Sequence, residues 1–311
     1  MKFKLTILGS GGAIPTAQKK PTSQFLNIQD RYFLIDCGEG TQIQLRKFKC
    51  KFQKIDHIFI SHLHGDHYLG LVGFLSSLNL LGRTQQLHIY APEKLKQILT
   101  VHEDINGRKF DFDIVFQPLN FDSLNCLYED KIVKVFSFPV DHSVPTCGFL
   151  FQEKERSRRL LKNKLKEYEI PISELKNIKA KNDFIQNDKV VKNSILTVSA
   201  PPPRSYAFCA DTIYNNSIVK FISNVDLLYH ESTFLTSMLS RAKSTKHSTA
   251  RQAAMIAKEA KVERLLIGHF SARYKETDLF ELEAKEVFSN TKAVSDGDEY
   301  EIFLNDSEHG D

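Results

Sequence analysis

Ser61-His62-Leu63-His64-Gly65-Asp66-His67 is the stretch from which the rest of the chain is best read. Three imidazoles and one carboxylate fall within six positions, directly after the apolar run Ile55-Asp56-His57-Ile58-Phe59-Ile60. A loop leaving a strand gathers such side chains around one small volume. Neutral imidazole nitrogens plus a carboxylate oxygen are what borderline metal ions bind. The spacing sorts the donors, because His62 and His64 can face one ion while Asp66 and His67 face a second. A loop that is merely polar needs neither the preceding strand nor the glycine.

Four side chains cannot close two metal sites, since each ion takes about four to five ligands with one place kept open for water. Three further polar residues follow strand-like apolar runs. His142 comes after Val133–Val140, Asp211 after Tyr206–Ala210 and His269 after Leu265–Gly268. Polar groups at the ends of buried strands are common site residues in α/β folds.

These residues, with stretches spread along the chain, resemble the metallo-β-lactamase-fold hydrolases, and within them the ribonuclease Z family. The narrower likeness rests on Leu8-Gly9-Ser10-Gly11-Gly12-Ala13-Ile14-Pro15-Thr16, Leu34-Ile35-Asp36-Cys37-Gly38-Glu39-Gly40-Thr41-Gln42 and Asp141-His142-Ser143-Val144-Pro145-Thr146-Cys147-Gly148-Phe149. It continues in Cys209-Ala210-Asp211-Thr212, His230-Glu231-Ser232-Thr233-Phe234, Lys246-His247-Ser248-Thr249-Ala250 and Gly268-His269-Phe270-Ser271-Ala272-Arg273-Tyr274. The resemblance implies two zinc ions per subunit, one held by His62, His64 and His142, the other by Asp66, His67 and His269, with Asp211 bridging. It further implies Asp66 as the proton acceptor for an attacking water, and His247 with Glu231 at the leaving ribose oxygen. Asp36 is expected to orient a ligand histidine. The implied activity is removal of the 3′ trailer from precursor tRNA, in a cytoplasmic homodimer.

Composition agrees with a soluble enzyme. The chain has 311 residues, 41% hydrophobic and 26% charged, enough for a sizeable core. No apolar run approaches the roughly 20 residues of a membrane helix. The N-terminal Met1–Leu8 alternates polar and apolar residues and reads as a first strand rather than a signal peptide. Five scattered cysteines without a C-x-x-C pair are expected to be free thiols.

Strands are expected at 2–8, 24–28, 32–36, 87–91, 112–116, 132–138, 147–152, 206–210, 226–229 and 264–268. Helices are expected at 40–48, 70–81, 93–100, 216–222, 248–260 and 278–289. Serial strands followed by strand–helix alternation suggest two mixed sheets covered by helices, an α/β chain. The resemblance specifies this as a four-layer αβ/βα sandwich with an inserted basic arm.

Residues 153–192 interrupt the pattern. They carry twelve basic and seven acidic residues, a net +5 against +4 for the whole chain, so the remainder sums to about −1. A separate basic segment suits a polyanion held at a second place. The family's tRNA-binding arm is inserted here, which points to Arg156, Arg158, Arg159, Lys162, Lys164 and Lys166 as RNA contacts. Family arms usually carry a Gly-Pro segment, whereas Ile170-Pro171-Ile172-Ser173-Glu174 has no glycine. The expected organisation is thus one catalytic domain over 1–152 and 193–306, a flexible arm over 153–192, and a disordered tail over 307–311. Arg204, after three prolines, is a further candidate phosphate contact, while His57 and His88, inside strand-like runs, read as structural.

Other classes fit less well. A glyoxalase-type thioesterase shares the H-x-H-x-D-H run but would carry a helical tail in place of the arm. A β-lactamase-like hydrolase would show a secretion signal and a different second-site ligand. A small-molecule phosphodiesterase is the serious alternative, because the same metals cleave simple diesters, and a non-catalytic RNA-binding protein would be expected to have lost a ligand.

Overall fold

The computed structural model describes residues 1–186 and 189–304; the expected tail at 307–311 lies outside them. The N-terminal part supplies six main strands: β1 (Phe3–Gly9), β2 (Ser23–Ile28), β3 (Arg31–Ile35), β4 (Ile55–Phe59), β5 (Leu87–Ala91) and β6 (Ile114–Pro118). Seven more follow: β7 (Asn125–Glu129), β8 (Val133–Pro139), β9 (Cys147–Glu153), β10 (Ser205–Cys209), β11 (Leu227–Glu231), β12 (Arg264–Gly268) and β13 (Thr291–Ala293). The last is β14 (Glu299–Glu301).

They form two seven-stranded sheets, in the orders β14-β1-β2-β3-β4-β5-β6 and β13-β12-β11-β10-β9-β8-β7. Both are mixed. β1, β2 and β3 pair antiparallel, then β3 to β6 run parallel. In the second sheet β9 meets β10 antiparallel and β10 to β13 run parallel.

Period-two alternation places the layers. In β10, Tyr206 and Phe208 enter the core between the sheets, while Ala207 and Cys209 face the helices outside. Phe33 and Phe59 of the first sheet meet Phe149 and Phe151 of the second across that core. The outer face of the first sheet is covered by α1 (Thr41–Lys47), α2 (Leu71–Leu80) and α3 (Leu95–Asn106) through Leu45, Phe74, Leu78 and Leu99. The second sheet is covered by α4 (Ala250–Glu259) and α5 (Asp278–Lys285) through Ala253, Ala254, Ala257 and Phe280. The result is the expected four-layer sandwich. Each fully buried phenylalanine contributes about 1.5–3 kcal/mol of transfer free energy.

α4 opens with a capping box: Thr249 accepts from the Gln252 amide, and the Gln252 side chain accepts from the Thr249 amide. Among the described residues, all five cysteines are free thiols. No helix there is long and apolar enough to cross a membrane.

The chain divides into two compact units, and residues 153–204 belong to the second. This segment has its own small core of Ile178, Phe184 and Leu196, with Leu160, Leu165, Tyr168, Ile170 and Val191 packed against it. Arg159–Leu160 pairs antiparallel with Thr197–Val198. The Asn193 amide donates to the Ile178 and Asn182 carbonyls at 2.7 and 2.8 Å, tying the segment's turns together. Arg204 is buried against Glu153, with Nε and Nη2 bonds of 3.0 and 2.7 Å. It is therefore not placed as a surface phosphate contact, because its guanidinium neutralises an internal carboxylate.

Candidate functional site

The parallel order of the strands decides where the polar residues go, since strand ends collect at one rim. Asp36 follows β3, the His62–His67 loop follows β4, His142 follows β8, Asp211 follows β10, Glu231 ends β11 and His269 follows β12. His247 precedes α4, in the turn that leads to the Thr249 cap. Asp36 and His269 have φ of 55° and 60°, left-handed conformations that side chains other than glycine adopt at a cost of about 1–3 kcal/mol. Gly12 is required beside His269: a Cβ there would stand 2.5 Å from the His269 ring.

Two donor groups form. His62, His64, His142 and Asp211 bring ligand atoms within 4.8 Å of one another, and so do Asp66, His67 and His269. Asp211 reaches both, with Oδ2 at 3.6 Å from His62 Nε2 and 3.4 Å from His67 Nε2, and Oδ1 at 3.3 Å from His269 Nε2. A third grouping of the same kind joins Asp211, His247 and His269. A cavity of about 550 Å³ opens on the cluster, lined by Ala13, His64, Asp66, His142, Asp211, His247 and His269 among others.

The outer nitrogens of the histidines fix what the inner ones can do. His142 Nδ1 donates to the Lys246 carbonyl at 2.8 Å. His67 Nδ1 donates to Asp36 Oδ2 at 2.7 Å, and Asp36 also accepts from the Ser61 amide and hydroxyl. Because the Ser61 hydroxyl gives its proton to Asp36, it accepts from His62 Nδ1 at 3.0 Å. With Nδ1 carrying the proton, the Nε2 lone pairs of His62 and His142 face inward, and both lie near His64 Nδ1, at 3.1 and 3.2 Å. Inward lone pairs at such distances fit a cation between them. Asp211 Oδ1 is buried without a hydrogen-bond partner; its 3.3 Å contact with His269 lacks hydrogen-bond geometry.

Charge makes the same demand. Burial lowers His62 well below its ordinary range, helped by the neighbouring His67 charge, and burial also lowers His64 and His142. Burial opposes an imidazolium at His67, yet Asp211, Asp66 and Asp36 hold that group well above its usual value. Burial likewise opposes ionisation of Asp211, but His269 and His67 keep it well below the carboxylate range. Asp66 is lowered as well, against burial, by His67 and His269. Three acidic groups beside His62, His64 and His142, which burial keeps neutral, are a place for positive charge, which the donor set can hold as metal.

Curated relatives match this chain over nearly its whole length. Ribonuclease Z of Bacteroides fragilis is 47% identical over 291 residues, 93% of this chain and 96% of that one. Ribonuclease Z of Porphyromonas gingivalis is 44% identical over 295 residues, 94% and 97% of the two chains. The chain belongs to the ribonuclease Z family. The crystal structure of human tRNase Z, short form, superposes with a TM-score of 0.70 at 25% identity, over 97% of this chain and 100% of that one. The metallo-β-lactamase-fold protein YhfI from Bacillus subtilis shares the fold with a TM-score of 0.68 at 20% identity, over 96% and 100%. A family model described as Anti-Pycsar protein Apyc1 matches residues 3–154. That span holds five of the candidate ligands but neither Asp211 nor His269.

Within this family setting, Glu231 and His247 occupy different places. Glu231 is fully buried and accepts from the Thr212, Thr233 and Ser248 amides, the Thr233 hydroxyl and His247 Nδ1. The carboxylate therefore stands behind His247 and does not itself face the cavity. Burial opposes a charge on His247, yet the charge and hydrogen bond of Glu231, together with the charge of Asp211, lift it to about 9. Asp66 Oδ2 accepts the Ala13 amide at 2.6 Å.

The six basic residues expected to hold RNA separate into two kinds. Arg156 pairs with Glu153 at 2.5 Å, and Arg158 donates to the Thr197 and Ser199 hydroxyls at 2.6 and 2.9 Å. Lys164 bonds Glu167 at 2.8 Å. Arg159, Lys162 and Lys166 are exposed. His57 and His88 stack 4.9 Å apart between Tyr90 and Tyr128, away from the donor groups, as their strand positions suggest. Sequence reasoning gave no role to Ser61, Thr233, the Ala13 amide or the Lys246 carbonyl. Ser61 precedes the ligand run and Thr233 lies in the 230–234 stretch, which was the available signal; backbone donors and acceptors leave none.

Proposed function

We propose that this chain is a zinc phosphodiesterase acting as a tRNA 3′-processing endoribonuclease, cutting the trailer from precursor tRNA to leave a 3′-hydroxyl on the tRNA and a 5′-phosphate on the trailer. The observation that carries the reading is the gathering of His62, His64, His142, Asp211, Asp66, His67 and His269 into two donor groups beside one cavity, onto which His64, His142, Asp211, Asp66 and His269 open, in a member of this family. His62, His64 and His142 would hold one zinc ion, Asp66, His67 and His269 the other, and Asp211 both. Two zinc ions supply a nucleophile at neutral pH and offset charge at phosphorus.

The side chains do the rest. Asp66, anchored by the Ala13 amide, accepts the proton of the attacking water. His247, charged and aimed by Glu231, hydrogen-bonds the departing ribose 3′-oxygen. Asp36, Ser61 and the Lys246 carbonyl keep the histidines turned inward. In the insert, the exposed Arg159, Lys162 and Lys166 contact tRNA phosphates, whereas Arg156 and Arg158 hold the segment's own structure. The enzyme works as a cytoplasmic homodimer.

The test is to incubate the protein with end-labelled precursor tRNA and map the cut. Cleavage after the discriminator nucleotide, abolished by chelator and restored by zinc, is the expected result. Cleavage that survives exhaustive chelation would overturn the metal mechanism.

A further inference from the structure

Thr233 lies two residues beyond β11 and is buried. Its hydroxyl meets three polar groups: Glu231 Oε2 at 2.9 Å, His269 Nδ1 at 2.9 Å and His247 Nδ1 at 3.1 Å. A hydroxyl has one proton to give. The Glu231 carboxylate only accepts, so it takes that proton, and a lone pair of the oxygen is left for His269 Nδ1. His269 must then be protonated on Nδ1, which leaves its Nε2 bare. That nitrogen is the one 3.3 Å from Asp66 Oδ2, 3.3 Å from Asp211 Oδ1 and 3.3 Å from His67 Nε2. His247 sends its own Nδ1 proton to Glu231 Oε1 at 2.9 Å.

The other ligand histidines have different outer partners. Ser61 serves His62, Asp36 serves His67 and the Lys246 carbonyl serves His142. None of these three is hydrogen-bonded to His247 or Glu231 in the contacts above. Thr233 touches both systems. We propose that Thr233 is a positioning residue that joins them: one hydroxyl fixes the tautomer and aim of the metal ligand His269 and, through Glu231, the aim of the leaving-group histidine His247. The metal half of this inference stands on geometry alone, and the leaving-group half rests on the proposed RNA cleavage.

Thr233→Val removes the hydroxyl at nearly constant shape, and Thr233→Ser keeps it. Zinc affinity is read by competition with a chromogenic chelator, with bound zinc counted by atomic emission. We expect Thr233→Val to weaken the second zinc equivalent by roughly 10–100-fold, the scale for lost outer-shell partners, while the first is unchanged. At saturating zinc, single-turnover cleavage of precursor tRNA should still fall by about 10-fold or more. A substrate with sulfur in place of the 3′ bridging oxygen at the scissile linkage needs little proton donation, so its cleavage should fall much less. Thr233→Ser should restore both readouts to within about threefold. If Thr233→Val does not fold by circular dichroism, Thr233→Ala is read in the same way. Unchanged affinity for the second zinc overturns the proposal, as does a serine variant as impaired as the valine one. Equal loss on the oxygen and sulfur substrates at saturating zinc removes the link to His247. Altered zinc binding in a protein whose wild type cuts no precursor tRNA would instead sink the proposed function and leave the ligand geometry standing.

Discussion

The centre at the sheet rim and the segment 153–204 both concentrate charge, but they hold it differently. At the rim, Asp36, His67, Asp211 and Glu231 are buried, and each contacts partners far away in sequence, such as His67 with His269. In the segment, Lys164–Glu167, Lys181–Glu155 and Lys192–Asp183 are pairs at or near the surface. Burial makes every unmatched charge expensive, so the rim can keep its acids and imidazoles only in one arrangement that suits a cation. Surface pairs are worth about 0–1 kcal/mol, so the segment's lysines can exchange their partners for phosphates at little cost. On the proposed function, the first region would serve chemistry and the second capture.

The sharpest way to break this contrast is at the rim. Asp66→Ala removes a candidate ligand and the expected proton acceptor together, so single-turnover cleavage should fall by roughly 10⁴-fold or more, with loss of bound metal. A loss below about 10²-fold would place the chemistry elsewhere. His247→Ala should cost about 10²–10³-fold while retaining metal. Metal content decides here, because Asp211, His247 and His269 also bring donor atoms together. If His247→Ala loses zinc as Asp66→Ala does, His247 is a ligand and not the partner of the leaving oxygen.

The same contrast explains what could be read from the sequence. Buried strands announce themselves: those expected at 24–28, 132–138 and 206–210 lie at Ser23–Ile28, Val133–Pro139 and Ser205–Cys209. Strand β7, with Asn125, Leu127 and Tyr128 only half buried on a sheet edge, has no such pattern and was missed, as were the three-residue β13 and β14. The helix expected at 93–100 starts at Leu95 and runs to Asn106, where Gly107 at φ 64° ends it. At the site, strand-end positions exposed His142, Asp211 and His269 as candidates. The division of labour between Glu231 and His247 was not visible, because it depends on which side chain lies behind the other. Arg204 misled for the same reason: composition shows a cation but not the buried Glu153 that meets it.

A less drastic change addresses the segment as a whole. Residues 161–196 can be excised across the pair Leu160↔Thr197 and replaced by a two-residue Asn-Gly turn, which suits antiparallel strands. The small core of Ile178, Phe184 and Leu196 leaves with the segment, and the cores of the two sheets keep all their residues. Precursor tRNA cleavage should fall by at least about 10²-fold, roughly 2.7 kcal/mol of transition-state binding. Cleavage of bis-p-nitrophenyl phosphate, if the intact enzyme supports it, should be unchanged. Equal loss on both substrates would make the segment part of the catalytic fold, and no loss on tRNA would move the phosphate contacts elsewhere.

The smallest expected effect tests the contrast inside the segment itself. Lys166 is exposed, whereas the Arg158 guanidinium is spent on Thr197 and Ser199. If charge available to RNA is what matters, Lys166→Ala should reduce the slope of log affinity for tRNA against log salt by about one unit and leave the melting temperature alone. Arg158→Ala should do the reverse. It leaves the buried Thr197 hydroxyl and carbonyl without their Arg158 donor, at a cost of about 1 kcal/mol, so the segment should become more open to protease while the salt slope stays the same. Fluorescence anisotropy across a salt series and limited proteolysis separate the two. A flattened slope in Arg158→Ala would mean that RNA pulls this arginine from its internal bonds, and that the segment changes its own structure when it binds.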